Sequence, residues 1–383
     1  MTKLGVGIIG CGNISAAYLK LAPSFAALEV RKVADMNLEA AKARAGEFGV
    51  TAVSVDDLMA ADDIDVIVNL TIPEAHYPVT RRILESGKHA YSEKPFVLSL
   101  EEGENLRRIC AEKGLRVGSA PDTWMGGAHQ AARAAIDAGK LGRITSGTAH
   151  VLSPGMEMWH PNPDFFFLPG GGPMLDLGPY YVTNLIQLLG PVRRVAALAT
   201  SAWDQRTITT PGPRAGEKVP VKTPTNIHAL LDFADGATIT LSTSWDVFAH
   251  RHANMELYGT EGSLFVPDPN FFGGTVEIAG RDGKIGELAQ PHHAFGVPNM
   301  KDGRGNDRAN YRTAGLADMA QAIVEGRPHR CSLEMALHAV DVMTSVLKSG
   351  ETGQFVTLAT TCERPAAVTP EEAELLLGQV QTP

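Results

Sequence analysis

The stretch Gly5-Val6-Gly7-Ile8-Ile9-Gly10-Cys11-Gly12-Asn13-Ile14-Ser15 constrains the fold more than any other. An apolar run that breaks into glycines and then into an amphipathic pattern reads as strand, tight turn and helix. Gly10 permits the turn, and Gly12 lets backbone approach a ligand. Asn13 and Ile14 open the helix, whose N-terminus favours an anion such as a pyrophosphate. The third small position is Ser15 rather than glycine, which loosens the pattern slightly.

The alternation then repeats. Apolar runs at 4–10, 29–35, 65–70, 89–92 and 115–119 are separated by helical patterns at 14–22, 37–48, 74–86 and 100–113. Such repetition is the mark of a doubly wound parallel sheet. After Pro121 the pattern changes. Helices at 126–138 and 178–189 precede β-type runs at 194–200, 227–233, 237–247 and 255–258. Asp235-Gly236 supports a hairpin turn between the second and third of these runs. Long Gly/Pro-rich excursions at 203–224 and 267–310 read as lids, binding loops or oligomer arms. Helices at 311–325 and 333–348 close the domain. The expected class is α/β: an N-terminal Rossmann domain over 1–121, then an α+β domain over 122–383 with an open, mostly antiparallel sheet.

Composition narrows the partners. Residues are 44 % hydrophobic and 20 % charged, ordinary for a soluble globular protein, and 383 residues exceed one typical core. The net charge of −9, from 34 basic and 43 acidic residues without a basic run, argues against nucleic acid and membrane partners. Cys11, Cys110, Cys331 and Cys362 lie far apart, without the spacing of a zinc site, and suit a reducing compartment. No apolar run approaches the roughly 18 residues of a membrane span. The N-terminus runs into a strand without a leader pattern, so a soluble cytoplasmic protein is expected.

Asp35 ends the second apolar run, about 20 residues beyond the glycines, where a carboxylate would accept from a ribose 2′-hydroxyl. It would also repel a 2′-phosphate, and the neutral Met36 and Asn37 offer such a phosphate no arginine. NAD is therefore expected over NADP; the competing reading makes Asp35 a helix cap. The run at 65–70 leads into Thr71-Ile72-Pro73-Glu74-Ala75-His76, a loop at a strand's carboxyl end that would flank the riboses. Thr71, Pro73 and His76 are candidates there, although His76 reads equally as a surface helix residue. Glu93-Lys94-Pro95 ends the run at 89–92, and a desolvated lysine beside a nicotinamide can steer a hydroxyl proton.

In this order and spacing these segments resemble the glucose-fructose oxidoreductase/inositol dehydrogenase (Gfo/Idh/MocA) family. The glycine-rich segment from Gly170 to Tyr180 and the strand-and-turn from Glu256 to Gly262 are similar to its later landmarks. The resemblance implies a Rossmann domain, an open sheet that carries the substrate site, and assembly through the sheet's outer face as a homodimer or homotetramer. It implies that Lys94 lies near the nicotinamide and the reacting carbon. Many members have histidine as proton acceptor where this chain has Tyr180, so it resembles the tyrosine-containing branch. A later acidic position is Thr183 here. The implied reaction is NAD-dependent oxidation or reduction at a secondary hydroxyl (CH-OH) of a sugar, glycoside or cyclic polyol. The alternative is an NAD-dependent glycoside hydrolase that oxidises the sugar transiently, eliminates the aglycone, adds water and re-reduces. A non-catalytic regulator is a third class, opposed by retention of Lys94 and Tyr180.

The residues themselves agree with hydroxyl chemistry. Asp176 and Tyr180 are four apart in a helical pattern and would share a face with Thr183 and Asn184. Tyrosine ordinarily titrates near pH ~10 and needs a cation within ~4–6 Å, and roughly 4 kcal/mol, to become a base near neutrality. Tyr180 is the candidate proton acceptor or relay, with Lys94 polarising the hydroxyl and Asp176 orienting the sugar. Lys94 as the base, or Tyr180 as a core aromatic, are the competing readings. Asp122 and Trp124 follow the last Rossmann strand, and Trp159 and His160 form an aromatic-polar loop; all four are substrate-site candidates. So are His250 and His252, which a strand would point to one side. Without a third ligand they predict no metal. Arg304, Arg308, Tyr311 and Arg312 form a basic, aromatic cluster that reads as an anion clamp or a surface helix start.

Overall fold

The computed structural model describes residues 2–303 and 305–378; Arg304 lies outside the described residues. Its first sheet has six parallel strands, built in chain order as β1 (Leu4–Ile9), α1 (Asn13–Leu21), β2 (Leu28–Ala34), α2 (Leu38–Phe48), β3 (Thr51–Ala52), α3 (Val55–Ala60), β4 (Val66–Asn69), α4 (Pro73–Glu85), β5 (His89–Ser92), α5 (Leu100–Lys113) and β6 (Val117–Ser119). Strand order is β3-β2-β1-β4-β5-β6, so the winding reverses between β1 and β4. A ligand crevice opens outside the strand carboxyl ends at such a reversal. β1 and β4 are buried along their whole length, as strands with both faces covered must be. Asn37 and Ser99 cap α2 and α5 through their side chains, and left-handed Gly49 and Gly114 end them. β3 and α3 are additions to the expected elements.

The second sheet has nine strands. Its elements are α6 (Gly127–Asp137), β7 (Ile144–Leu152), α7 (Gly172–Asp176), α8 (Gly178–Leu189), β8 (Val192–Thr200), β9 (Gln205–Thr207), β10 (Lys218–Pro220), β11 (Asn226–Phe233), β12 (Thr238–Ser244), β13 (Met255–Gly259), β14 (Gly262–Val266), β15 (Glu277–Gly280), β16 (Ile285–Glu287), β17 (Met300–Lys301), β18 (Asp307–Arg308), α9 (Ala314–Glu325), α10 (Leu333–Thr352), β19 (Val356–Thr357) and α11 (Pro370–Leu377). The order is β16-β15-β14-β13-β7-β12-β11-β8-β19; β9–β10 and β17–β18 are separate hairpins. Neighbours pair antiparallel except β7 and β12, which run parallel. The expected turn at Asp235-Gly236 joins β11 and β12. The two long excursions are partly structured, since they contain β9–β10 and β15 to β18.

α10 covers one face of this sheet: Ala197 donates from its backbone to Ser349 Oγ at 2.8 Å. The other face is exposed toward β11 and β8, while His150 and Ser242 nearer its centre are buried. Register places His150, Ser242, His228 and Leu198 side by side across four strands. Leu198 is 71 % exposed there and Leu230 45 %. Among the described residues no helix is long and apolar enough to cross a membrane.

Candidate active site

At the β1–α1 turn Gly10 has φ +100°, and a Cβ there would meet the Leu70 carbonyl oxygen at 2.6 Å. Only glycine fits that position without strain. A Cβ at Gly12 would meet nothing within 4 Å, so space is open over the N-terminus of α1, where Asn13 and Ile14 begin the helix. Ser15 is buried and donates its hydroxyl to the Gly12 carbonyl at 2.6 Å, so this small side chain folds back into the turn. The cap of α2 is Asn37, not Asp35. Asp35 instead accepts from the backbone N–H of Cys11 and of Asn37, both at 2.8 Å, one on each oxygen. Each oxygen keeps a lone pair for a ribose hydroxyl. Open space, helix N-terminus and fixed carboxylate together fit an NAD adenosine and pyrophosphate. Met36 is fully exposed beside Asp35.

The ends of β4 and β5 are tied to each other. Thr71 donates its hydroxyl to Asn69 Oδ1 at 2.6 Å, and buried Asn69 donates to the His76 carbonyl and to Thr80, both at 3.0 Å. His76 is neither a surface residue nor open to a ligand. It is 1 % exposed, with Nδ1 2.6 Å from the Pro95 carbonyl oxygen and Nε2 3.1 Å from that of Thr71. Burial pushes its imidazole down against the pull of those two carbonyls, and the ring lies between the two loops as a structural link. The Lys94–Pro95 bond is cis. Glu93 accepts from the Tyr18 hydroxyl at 2.8 Å and from the Lys94 backbone N–H at 3.0 Å.

Lys94 reaches across to the second sheet's helices. Its Nζ donates to the Asp176 carbonyl at 2.7 Å and to Asp176 Oδ1 at 2.8 Å, and sits 5.2 Å from the centre of the Tyr180 ring. Asp176 ends α7 and Tyr180 starts α8; the two short helices break at Leu177, so Lys94 joins residues that one continuous helix was expected to align. Burial pulls the ammonium down, but the Asp176 carboxylate, with Tyr180 and Glu93 behind it, holds Lys94 well above the ordinary lysine value. Lys94 is thus held as a cation. Thr183 turns back to the Pro179 carbonyl at 2.7 Å and Asn184 is fully buried, so neither extends the site.

A narrow cavity of about 50 Å³ adjoins Lys94 and Asp176, walled by Pro73, Phe165 and Phe166. The two phenylalanines, which the sequence reading missed, come close because Gly171 lacks a side chain: a Cβ there would lie 2.6 Å from the Phe165 carbonyl oxygen. His160 packs edge-on against Trp159, Phe165 and Phe166, and Trp159 is 61 % exposed. A cavity of about 810 Å³ lies elsewhere, lined by His329, Arg330, Glu334, Cys362 and Arg364. Arg330 is engaged by Asp318 and Glu372, and Arg364 by Gln187 and Asp137, so size alone does not make that cavity a site.

Trp124, expected where a substrate would meet both domains, is 1 % exposed and packed in the core. His250 and His252 lie in an irregular segment rather than a strand; their rings are 6.2 Å apart, and His252 stacks on His150 at 4.1 Å. His150 shares the sheet face of Ser242, His228 and Leu198 and is itself buried. Among the described residues no group of three or more His, Cys, Asp or Glu could hold a metal ion. Arg308 pairs with Asp302 at 3.0 Å, and Tyr311 donates to the Val297 carbonyl at 2.8 Å.

Asp122 is 2 % exposed, and its Oδ2 accepts from the backbone N–H of Thr313 and of Gly315, each at 3.0 Å. Burial pushes its carboxyl up to about 6, against the pull of those N–H groups and Arg312. Because the folded value lies above the ordinary carboxylate range, folding favours the protonated form. The stability so contributed is full below pH ~4 and is lost as pH rises through about 6. Asp122→Asn keeps an acceptor without the charge. It is expected to gain roughly 3 kcal/mol on the parent between the acid and neutral limits. Urea midpoints of both proteins across that range test this, and parallel profiles would exclude Asp122 as the source.

Comparison with known proteins gives two family matches: an oxidoreductase family with an NAD-binding Rossmann fold over residues 4–120, and the GFO/IDH/MocA C-terminal domain over 129–265. The 1,5-anhydro-D-fructose reductase of Ensifer adhaerens is 25 % identical over 368 residues, 92 % of this chain and 98 % of that protein. The dTDP-3,4-didehydro-2,6-dideoxy-alpha-D-glucose 3-reductase of Streptomyces violaceoruber is 32 % identical over 199 residues, 50 % of this chain and 56 % of its own length. A levoglucosan dehydrogenase solved with NADH and L-sorbose shares the fold with a TM-score of 0.78 at 22 % identity, over 94 % of this chain and 99 % of that one.

Proposed function

The chain belongs to the GFO/IDH/MocA family of oxidoreductases and carries its NAD-binding Rossmann fold, and we propose that it moves hydride between NAD and the secondary hydroxyl carbon of a sugar, glycoside or cyclic polyol. The observation that carries this reading is the Lys94 ammonium, fixed by two oxygens of Asp176 above the Tyr180 ring. The sugar substrates in the names of relatives support the substrate class.

NAD, when bound, supplies the hydride acceptor. Gly10, Gly12, Asn13 and Ile14 would take its pyrophosphate, Asp35 its adenosine ribose, and the Thr71–Pro73 and Glu93–Lys94 loops its nicotinamide half. In the oxidising direction Lys94 donates to the substrate oxygen and stabilises the charge that grows there. Asp176 holds Lys94 and accepts from a neighbouring sugar hydroxyl. Tyr180, as its phenolate, takes the proton as the substrate O–H bond breaks, because Lys94, already a bonded cation, has no free lone pair. Phe165 and Phe166 wall off water, and exposed Trp159 with His160 offers a ring face to the sugar. The sheet face that exposes Leu198 and Leu230 supports a homodimer or homotetramer, and the four free cysteines suit a cytoplasmic location.

The test incubates the protein with NAD, free sugars and chromogenic glycosides while NADH and released aglycone are recorded together. NADH formed with oxidised product is the expected result. Aglycone release without net NADH would replace this reading by the glycosidase, and silence in both channels would count against a sugar hydroxyl. For cofactor choice, Asp35→Ala is expected to erode the preference for NAD over NADP roughly 10-fold or more, the value of a hydrogen bond to a charged group. An unchanged ratio of dissociation constants would leave Asp35 holding the Cys11 turn alone.

A further inference from the structure

Asp164, Phe165, Phe166 and Phe167 share one 3-10 turn, and their rings part ways. Phe166 and the fully buried Phe167 pack edge-on against Trp245, at 5.8 and 5.7 Å. Phe165 stacks on Phe166 at 4.0 Å and remains 47 % exposed. His160 stands edge-on to Phe165 at 5.5 Å and to Trp159 at 5.4 Å, so it lies between two exposed rings. The row is held firmly. Arg214, between β9 and β10, donates to both oxygens of Asp164 at 2.6 and 3.1 Å. Buried Arg206 on β9 donates to the Glu157 carboxylate at 3.0 Å. Thr209 and Thr210 donate their backbone N–H groups to the Glu157 carbonyl at 3.0 and 3.2 Å. Exposed rings fixed by that much structure are preorganised for a flat ligand, because binding has little left to order.

Three rings at steps of 5.4 and 5.5 Å make more surface than a single sugar ring covers. The cavity beside Lys94, about 50 Å³, is far below the roughly 300–1,000 Å³ that encloses a small ligand, so part of the substrate lies outside it against the rim. Phe165, Phe166, Pro73 and Leu175 give that rim no side-chain donor. A second sugar would strand its hydroxyls there, whereas an aromatic ring would bury apolar surface against Phe165. We propose that the substrate is a glycoside with an aromatic aglycone, and that Phe165 seats the aglycone while Trp159 faces the sugar. This deepens, and rests on, the proposed hydride transfer at a glycoside hydroxyl. Lys94, Asp176 and Tyr180 keep their roles, and Phe165 decides which glycosides are chosen.

Binding is measured by calorimetry on the NADH-loaded protein, in which a glycoside cannot be oxidised. The probes are matched 4-nitrophenyl and methyl glycosides of glucose, galactose and xylose. A 4-nitrophenyl glycoside is expected to bind about 10-fold or more tightly than its methyl counterpart. Phe165→Ala should bring that ratio close to one, whereas Trp159→Ala should weaken both probes and leave the ratio standing. Equal affinities in the parent, or a ratio that survives Phe165→Ala, would overturn the proposal. So would a Phe165→Ala protein of lower sedimentation mass with the two probes alike in the parent, since a second copy of the chain would then cover Phe165. Repeating the series with NAD separates this inference from the reaction. Aryl binding that needs Phe165, without NADH formed, sinks the hydride transfer and keeps the aglycone seat. Methyl glycosides oxidised as readily as aryl ones keep the reaction and sink the seat. Binding of neither probe overturns both.

Discussion

Lys94→Met is expected to lower turnover about 10³-fold or more while NAD affinity stays close to the parent's. Methionine keeps the apolar stem and deletes the ammonium, so the two bonds to Asp176 vanish with little change in packing. The substrate oxygen then loses the one cation poised to stabilise it. The glycine turn and Asp35 stand on other strands and do not touch Lys94, so the cofactor should still bind. Single-turnover NADH formation, paired with a fluorescence titration of NAD, separates the two effects. Turnover near that of the parent would mean that the chemistry does not run through this ammonium.

Tyr180→Phe is expected to cost ~10²–10⁴-fold in turnover, the usual contribution of a positioned proton acceptor. The phenyl ring stays in place beneath Lys94, in a helix buried along its whole length, so the melting temperature should hardly move. The substitution also chooses between the two bases. If Lys94 took the proton, the phenylalanine variant would retain most of its rate and its pH profile. If Tyr180 takes it, the rate should fall at every pH, with little change in substrate affinity.

The first sheet could be read from the sequence because each βα unit carries its own punctuation. Glycines follow β1, Asp35 follows β2, and Gly114 stops α5. The second sheet hid its centre. β7 presents Gly147 and Ala149 to the core rather than large apolar groups, so it shows little apolar alternation. Gly147 is required because a side chain there would run into the Glu256 carbonyl oxygen. Lys94, Asp176 and Tyr180 were legible as types in a pattern, although their meeting depends on a contact between residues 82 apart in sequence. His250 and His252 misled because a two-residue spacing suits a strand, yet strand pairing resumes only at Met255. Trp124 was a candidate by its place after the last Rossmann strand, and its side chain is buried in the core. The turn at Thr313 had no local signal, since a carboxylate 191 residues earlier accepts from its backbone N–H.

The position of β7 matters during synthesis as well. Its two partners, β12 and β13, are both encoded downstream, roughly 90–110 residues after it. At about 5–20 residues per second, a ribosome leaves this strand with both edges bare for roughly 5–20 s. Bare edges are the template on which chains pair wrongly with one another. β7 is rich in threonine, serine and glycine, a composition that is slow to collapse on a stranger. The weak patterning that conceals the strand from a reader also protects the nascent chain while it waits.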